Sequence, residues 1–223
     1  GLAVLAGTRP VERRPVYKLS EQGARLREAI TRGDLADVKT LVQSDLGLAY
    51  AKDESGRTSL HWAVEENQGE ILAWILSEAK AARSEERIRV NEAAESGDSQ
   101  ALHRRTQLTE QDIGSGYSKD HVLAQADIEG ITPLHLAAEG GNTKLTRTLL
   151  DDEVDARARD ATGRTPLHCA ATAGSLETVR MLLMAKAFSH ATDNAGRLAE
   201  DLLPENARAE VYPVLHRARL VED

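Results

Sequence analysis

A fifteen-residue pattern that returns at a fixed interval constrains the fold of this chain more than any other feature. The stretch DATGRTPLHCAATAG begins at Asp160, and DIEGITPLHLAAEGG begins 33 residues earlier at Asp127. A weaker copy, DESGRTSLHWAVEEN, begins at Asp53, and DNAGRLAEDLLPEN begins at Asp193. One unit of this kind cannot bury its apolar residues alone, so the copies are expected to stack into a solenoid.

Each copy predicts a turn followed by a short helix. Thr132 and Thr165 stand where an N-cap residue belongs. The proline after each of them takes the first helical position, where a missing N–H costs nothing. Gly141 and Gly174 are expected to end these helices in the left-handed conformation. A second helix with its own apolar stripe follows in each unit.

The Thr-Pro-Leu-His-x-Ala-Ala signature of two copies resembles the ankyrin repeat family. The resemblance implies an all-α solenoid of about six helix-turn-helix units joined by short β-turns. The third unit is degenerate, and is inferred from NEAAESGDSQAL, which keeps an Ala-Ala pair followed by Gly-Asp. The resemblance covers residues 19–220, with units at approximately 19–52, 53–83, 84–126, 127–159, 160–192 and 193–220.

The middle of the chain departs from the regular interval, because Thr58 and Thr132 are 74 residues apart. We expect the third unit to be entered directly by a helix that begins at Ser84. The extra residues fall in a loop at 109–125, which either contacts a partner or is a flexible insertion without a role. Near the end of the chain, Pro213 is expected to kink or break the last helix.

Residues 1–18 are basic and contain prolines, so they are expected to be extended. They are either a linker to another domain or a strand that docks in the groove of its own chain. The chain also lacks an initiator methionine, which indicates a piece of a longer protein.

His168 lies next to Cys169, the only cysteine, and the pair invites comparison with a thiol nucleophile and its base. However, this histidine recurs at His61 and His135 with the period of the scaffold, which a catalytic residue has no reason to do. The resemblance implies that it hydrogen-bonds around the threonine and the turn. We therefore expect no catalytic residue, no cofactor and no metal site, with a hydrolase that uses His168 and Cys169 as the remaining alternative.

Composition limits the kinds of partner and the cellular location that we expect. A net charge of −8 argues against non-specific nucleic-acid binding, which depends on neutralised phosphates. No apolar run approaches the roughly 18 residues of a membrane span. A single cysteine cannot form an internal disulfide. We expect a cytoplasmic or nuclear domain that is a monomer in isolation and does not insert into a membrane.

The resemblance implies that a partner protein contacts the turn tips and the exposed face of the first helices, on the concave side. This surface is acidic over units 2 to 4, which predicts a partner segment that is basic over part of its length, with Trp62 as an apolar anchor. Alternatively, the acids only solvate an exposed face, and Trp62 packs between helices. The expected contact residues are Glu54, Arg57, Trp62, Glu65, Glu66, Glu95, Tyr117, Glu129, Ile131, Glu139, Arg164, Thr172 and Arg197.

The sequence therefore predicts a non-catalytic protein-interaction domain. The alternative is a regulatory or targeting module of a larger protein whose catalytic domain lies elsewhere.

Overall fold

The structure is a computed structural model that describes residues 17–95, 126–152 and 154–222. Within these ranges the chain forms nine α-helices and two 3₁₀ helices, Leu46–Tyr50 and Ala199–Leu202. The α-helices are α1 (Glu21–Arg32), α2 (Leu35–Ser44), α3 (Ser59–Glu65), α4 (Gly69–Glu95), α5 (Pro133–Glu139), α6 (Thr143–Asp151), α7 (Pro166–Ala173), α8 (Leu176–Met184) and α9 (Glu205–Glu222).

The helices form two layers. The first helices α1, α3, α5 and α7 pack against one another in order, and the 3₁₀ helix Ala199–Leu202 continues their layer. The second helices α2, α4, α6, α8 and α9 pack in the same order in the other layer. Helices as short as α3 and α7 are marginal in isolation, because nucleation costs more than a few hydrogen bonds return. Stacking therefore stabilises them, and the predicted all-α solenoid is confirmed.

Each regular first helix begins with a capping box, in which a threonine and a histidine hydrogen-bond to each other's backbone or side chain. Thr58, Thr132 and Thr165 are the N-cap residues, and each exchanges contacts with the histidine three positions later. Pro133 and Pro166 take the first helical position, as the sequence predicts. The sequence of the turn thus fixes where the helix starts.

The end of each first helix needs a residue in the left-handed region. Gly141 and Gly174 have φ of 59° and 69°, which confirms their predicted role. Gly33 does the same in unit 1 with φ of 70°. Unit 2 has Asn67 at this place, with φ of 55°. Asparagine enters this region more easily than most other residues with a side chain, so the turn survives the change.

The core lies between the two layers. Leu60, Leu134 and Leu167 hold the same position in three first helices, and all are 0% exposed. Leu149 and Leu182 of the second helices belong to the same apolar cluster. Each buried leucine contributes about 1.5–3 kcal/mol.

Unit 2 (residues 53–83) and unit 4 (127–159) stack directly on each other. The Ile128 N–H donates to the Ser55 carbonyl at 3.0 Å, and His61 Nε2 lies 2.9 Å from the Ile131 carbonyl oxygen. In addition, α3 packs against α5, and α4 against α6. The turn and both helices of unit 2 therefore contact those of unit 4 directly, and most of the predicted third unit, 84–126, lies outside the described residues.

Two helices run further than the sequence indicated. Helix α4 continues through Ser84 to Glu95, so the helix start predicted at Ser84 is wrong. No glycine or proline follows Gly69 in this stretch, and nothing local ends the helix. Helix α9 continues through Pro213, so the predicted break is also wrong. The burial of Val211 and Leu215 on both sides of the proline offsets the lost backbone hydrogen bond.

Thr146 on α6 is a weak point of the core. Its side chain is 0% exposed, and its Oγ1 has no hydrogen-bond partner among the described residues. The equivalent position holds Val38, Leu72 and Val179 in three other units. We expect Thr146→Val to raise the free energy of unfolding by about 1 kcal/mol, because it removes a desolvated hydroxyl without changing the shape. Chemical denaturation measures this change.

Thr178 on α8 supplies the matched control. It is equally buried, but its Oγ1 lies 2.8 Å from Ser175 Oγ. The same substitution, Thr178→Val, leaves the serine without that bond and should lower stability. Equal effects of the two substitutions would contradict the explanation.

Candidate functional site

Four turns follow one another along the stack, and each is closed by an aspartate. Its Oδ1 accepts the backbone N–H groups two and four residues further on, at 2.8–3.0 Å, in the turns of Asp53, Asp127, Asp160 and Asp193. One backbone hydrogen bond joins each turn to the next. The donor–acceptor pairs are Ile128–Ser55, Ala161–Glu129 and Asn194–Thr162. The turn tips therefore form one continuous row.

The second carboxylate oxygen, Oδ2, of each of these aspartates pairs with an arginine side chain. Arg164 Nε donates to Asp160 at 3.0 Å, and Arg197 Nε donates to Asp193 at 2.8 Å. Hydrogen bonds from Thr162 and Arg164 outweigh burial and lower the pKa of Asp160 below its ordinary value. The backbone N–H of Arg197 lowers that of Asp193 in the same direction. Both carboxylates are therefore charged and paired at neutral pH.

Unit 4 has isoleucine where units 5 and 6 have this arginine. Arg57 of unit 2 compensates, since its Nε lies 3.4 Å from Asp127 Oδ2. Arg57 also pairs with Glu65 at the end of α3. This pair brings the turn and the end of the first helix together on one surface.

The three repeated histidines connect neighbouring units. Nδ1 of His61, His135 and His168 accepts the N–H of the threonine in its own box, at 3.1–3.2 Å. That leaves the proton on Nε2, which donates to a carbonyl of the next turn at 2.9–3.2 Å. Burial lowers the pKa of all three, and that of His61 to about 4. The predicted structural role is confirmed, and each histidine is a neutral link between units.

Known proteins contain the same repeat. A family model described as ankyrin repeats (3 copies) matches residues 91–193. The ankyrin repeat domain-containing protein 40 of Mus musculus and that of Homo sapiens are each 39% identical to this chain over 56 residues. The chain is an ankyrin-repeat protein. The aligned segment spans 25% of the chain and only 15% of either relative.

Ankyrin repeats are generally protein–protein interaction modules. Within the described ranges, no helix combines the length and the apolar character that crossing a membrane requires. In the same part of the chain, no three His, Cys, Asp or Glu side chains are grouped so that they could hold a metal ion.

Cys169 of this ankyrin-repeat protein is not arranged as a nucleophile. The residue is 2% exposed, and burial raises the pKa of its thiol to about 12. Both nitrogens of His168 are already occupied, by the Thr165 N–H and the Arg197 carbonyl. The two neighbours in sequence therefore do not form a thiolate–imidazole pair, which removes the basis for the hydrolase alternative.

Trp62 was expected to face a partner, and this expectation is wrong. The side chain is 1% exposed. Its Nε1 donates to Asp53 Oδ2 at 3.1 Å, and the Arg27 guanidinium lies 5.7 Å from the ring centroid. In unit 2 the turn arginine, Arg57, pairs with Asp127 and not with the aspartate of its own turn. Asp53 is therefore paired with Arg27 and accepts a hydrogen bond from Trp62. The indole is part of the scaffold.

The other predicted contact residues lie at the turn tips and at the ends of the first helices. Those with exposed side chains are Glu54, Glu65, Glu66, Glu129, Glu139, Thr172 and Arg197, whereas Arg57, Ile131 and Arg164 are partly buried. Tyr117 and the side chain of Glu95 lie outside the described residues. The turn aspartates were missed, although their recurrence three residues before a glycine was a usable signal.

Proposed function

We propose that this protein is a non-catalytic interaction module that binds a partly basic segment of another protein. The proposed contact area, called the inner surface below, combines the turn tips with the C-terminal ends of α3, α5 and α7. Its members are Glu54, Arg57, Glu65, Glu66, Glu129, Ile131, Glu139, Arg164, Thr172 and Arg197.

The observation that carries this proposal is an imbalance of available charge. The three arginines of the inner surface are engaged with the turn aspartates Asp127, Asp160 and Asp193. Glu54, Glu66 and Glu129 are exposed, in contrast, and form no ion pair with a described side chain. The charge that remains for a partner is therefore negative.

Negative charge on such a surface steers basic partners and selects among them, whereas a few apolar contacts supply most of the affinity. With Trp62 buried, the apolar contacts are assigned to unit 4. Ile131 is partly exposed, and Ile128 at the tip of the same turn is 37% exposed. Isoleucine at these tips beside the exposed Glu129 suits a segment that alternates basic and aliphatic side chains.

A regulatory or targeting role within a longer protein is the second candidate. It is supported by the relatives, of which the aligned repeat segment forms only 15%. The full reading frame decides whether a catalytic domain accompanies the repeats.

The test reverses charges on the inner surface. Partners captured with the whole chain are identified by mass spectrometry, and one is then titrated with the double variant Glu66→Lys, Glu129→Lys. We expect an affinity about tenfold lower and a weaker dependence on salt, because the steering charge has changed sign. The matched control, Glu177→Lys with Glu210→Lys, makes the same charge change on the second-helix layer. Equal affinity and salt dependence for both double variants would overturn the proposal.

A further inference from the structure

The loop after α8 differs from its equivalent one unit earlier. Met184 and Phe188 stand where Asp151 and Asp155 stand 33 residues before. Met184 is 84% exposed and Phe188 is 42% exposed. In the earlier loop, Asp155 Oδ1 accepts the Arg157 N–H at 2.9 Å, which a phenylalanine cannot do. The change therefore removes a turn-stabilising acceptor and leaves an aromatic ring at the surface.

An arginine of unit 4 and a histidine of unit 5 lie against this ring. The Arg157 guanidinium carbon lies 4.1 Å from the Phe188 ring centroid, and Arg157 Nε donates to the Lys186 carbonyl at 2.9 Å. The His190 ring is 5.4 Å from Phe188 and tilted by 32°. Arg157 and Lys186 are exposed, and neither forms an ion pair with a described side chain. These four residues are called the Arg157 patch below.

The orientation of Arg157 favours a carboxylate ligand. Arg157 Nε donates to the Lys186 carbonyl, and the guanidinium lies over the Phe188 ring. The two terminal nitrogens are therefore already in position before a ligand binds. A guanidinium fixed in this way can bind a carboxylate through two hydrogen bonds. Phe188 offers an apolar contact at the same place, and exposed aromatic and arginine side chains are the usual anchors of protein interfaces.

We propose that the Arg157 patch is a second protein-binding site, separate from the inner surface, and that it takes an acidic segment with a bulky apolar side chain. Charge complementarity supports this occupant, since the patch is basic on a chain with a net charge of −8. A nucleic acid fits less well. It would meet only two full positive charges here, and the rest of the molecule would repel it.

The experiment uses the whole chain and a short fluorescein-labelled peptide in which glutamate alternates with phenylalanine and leucine. The test variant is Phe188→Asp, which restores the residue of the preceding unit and is expected to fold. The matched control is Arg25→Gln on α1, an exposed position where the substitution makes the net charge more negative by the same amount. Fluorescence anisotropy measures binding of the peptide to each protein.

We expect Phe188→Asp to weaken peptide binding about tenfold, equivalent to about 1.4 kcal/mol, and Arg25→Gln to leave it within about twofold. Replacing the glutamates of the peptide by glutamine should abolish binding. The proposal is overturned if the wild-type chain does not bind the peptide, if both variants bind it equally, or if the amide peptide binds as well. Tighter binding of single-stranded DNA or of anionic vesicles through Phe188 would overturn it in favour of those ligands.

Discussion

Lowering the pH from about 7 to about 4 should reduce the free energy of unfolding by about 3 kcal/mol through His61 alone. Burial lowers the pKa of His61 from 6.5 to about 4 in the folded chain. Between these values the unfolded chain binds a proton that the folded chain does not. Stability is therefore complete above about pH 6.5 and is lost as the pH falls towards 4. Urea unfolding at a series of pH values measures the loss.

His135 and His168 add to this loss, because burial lowers the pKa of both in the same direction. Asp160 and Asp193 act at lower pH. The pKa of each is lowered from 3.8, so their contribution is present above that value and disappears as the pH falls further. The control is His61→Gln, which should remove the share of this loss that comes from His61 and leave the share that comes from His135 and His168. A wild-type free energy that stays constant over this interval would show that His61 is not a buried neutral link.

Gly163→Ala should lower the free energy of unfolding by about 3 kcal/mol. The residue has φ of 79°, where a side chain is strained by about 1–2 kcal/mol. A Cβ there would also lie 2.9 Å from the backbone nitrogen of Asn194 in the next turn. That nitrogen donates to Thr162, so the turn row cannot move away without losing the bond.

Gly196 separates these two causes. Its φ is 77°, nearly the same, but nothing lies within 4 Å of a Cβ added there. Gly196→Ala should therefore cost only the backbone strain, about 1 kcal/mol. Chemical denaturation of both variants measures how much free energy of unfolding each one loses. The difference between the two losses is the contribution of the contact between turns. Equal losses would mean that the turn tips do not pack against each other as described.

The local sequence was sufficient to predict where the helices of each regular unit begin and end. The caps at Thr132 and Thr165, the glycine ends and the role of His168 depend on residues within one repeat, and each follows from its own stereochemistry. The direct contact between units 2 and 4 could not be predicted in this way. Periodicity counts residues along the chain, and it does not show which repeats touch in space. The hydrogen bond from the Ile128 N–H to the Ser55 carbonyl shows this contact directly.

Trp62 and the arginines show a second limit of prediction from sequence, which is that it misses contacts made by other units. A helical pattern places Trp62 on the same face as Glu65 and Glu66, but a pattern within one helix does not include Arg27, which comes from another unit to cover the ring. Likewise, Arg57 was assigned to a partner, whereas its Nε contacts the aspartate of the next turn. Most of the predicted residues do lie at the turn tips and the ends of the first helices, but contacts between units change the charge that is available there. Their binding of a partner stays a prediction.

Direct stacking of units 2 and 4 also bears on the order in which the protein folds. The His135–Arg164 and His168–Arg197 hydrogen bonds each join residues 29 apart, whereas the His61–Ile131 bond joins residues 70 apart. Closing the longer loop costs about 0.8 kcal/mol more in chain entropy. Units 4 to 6 can therefore assemble from nearby contacts before units 1 and 2 attach. We therefore expect the junction at Ile131 to form after the other two.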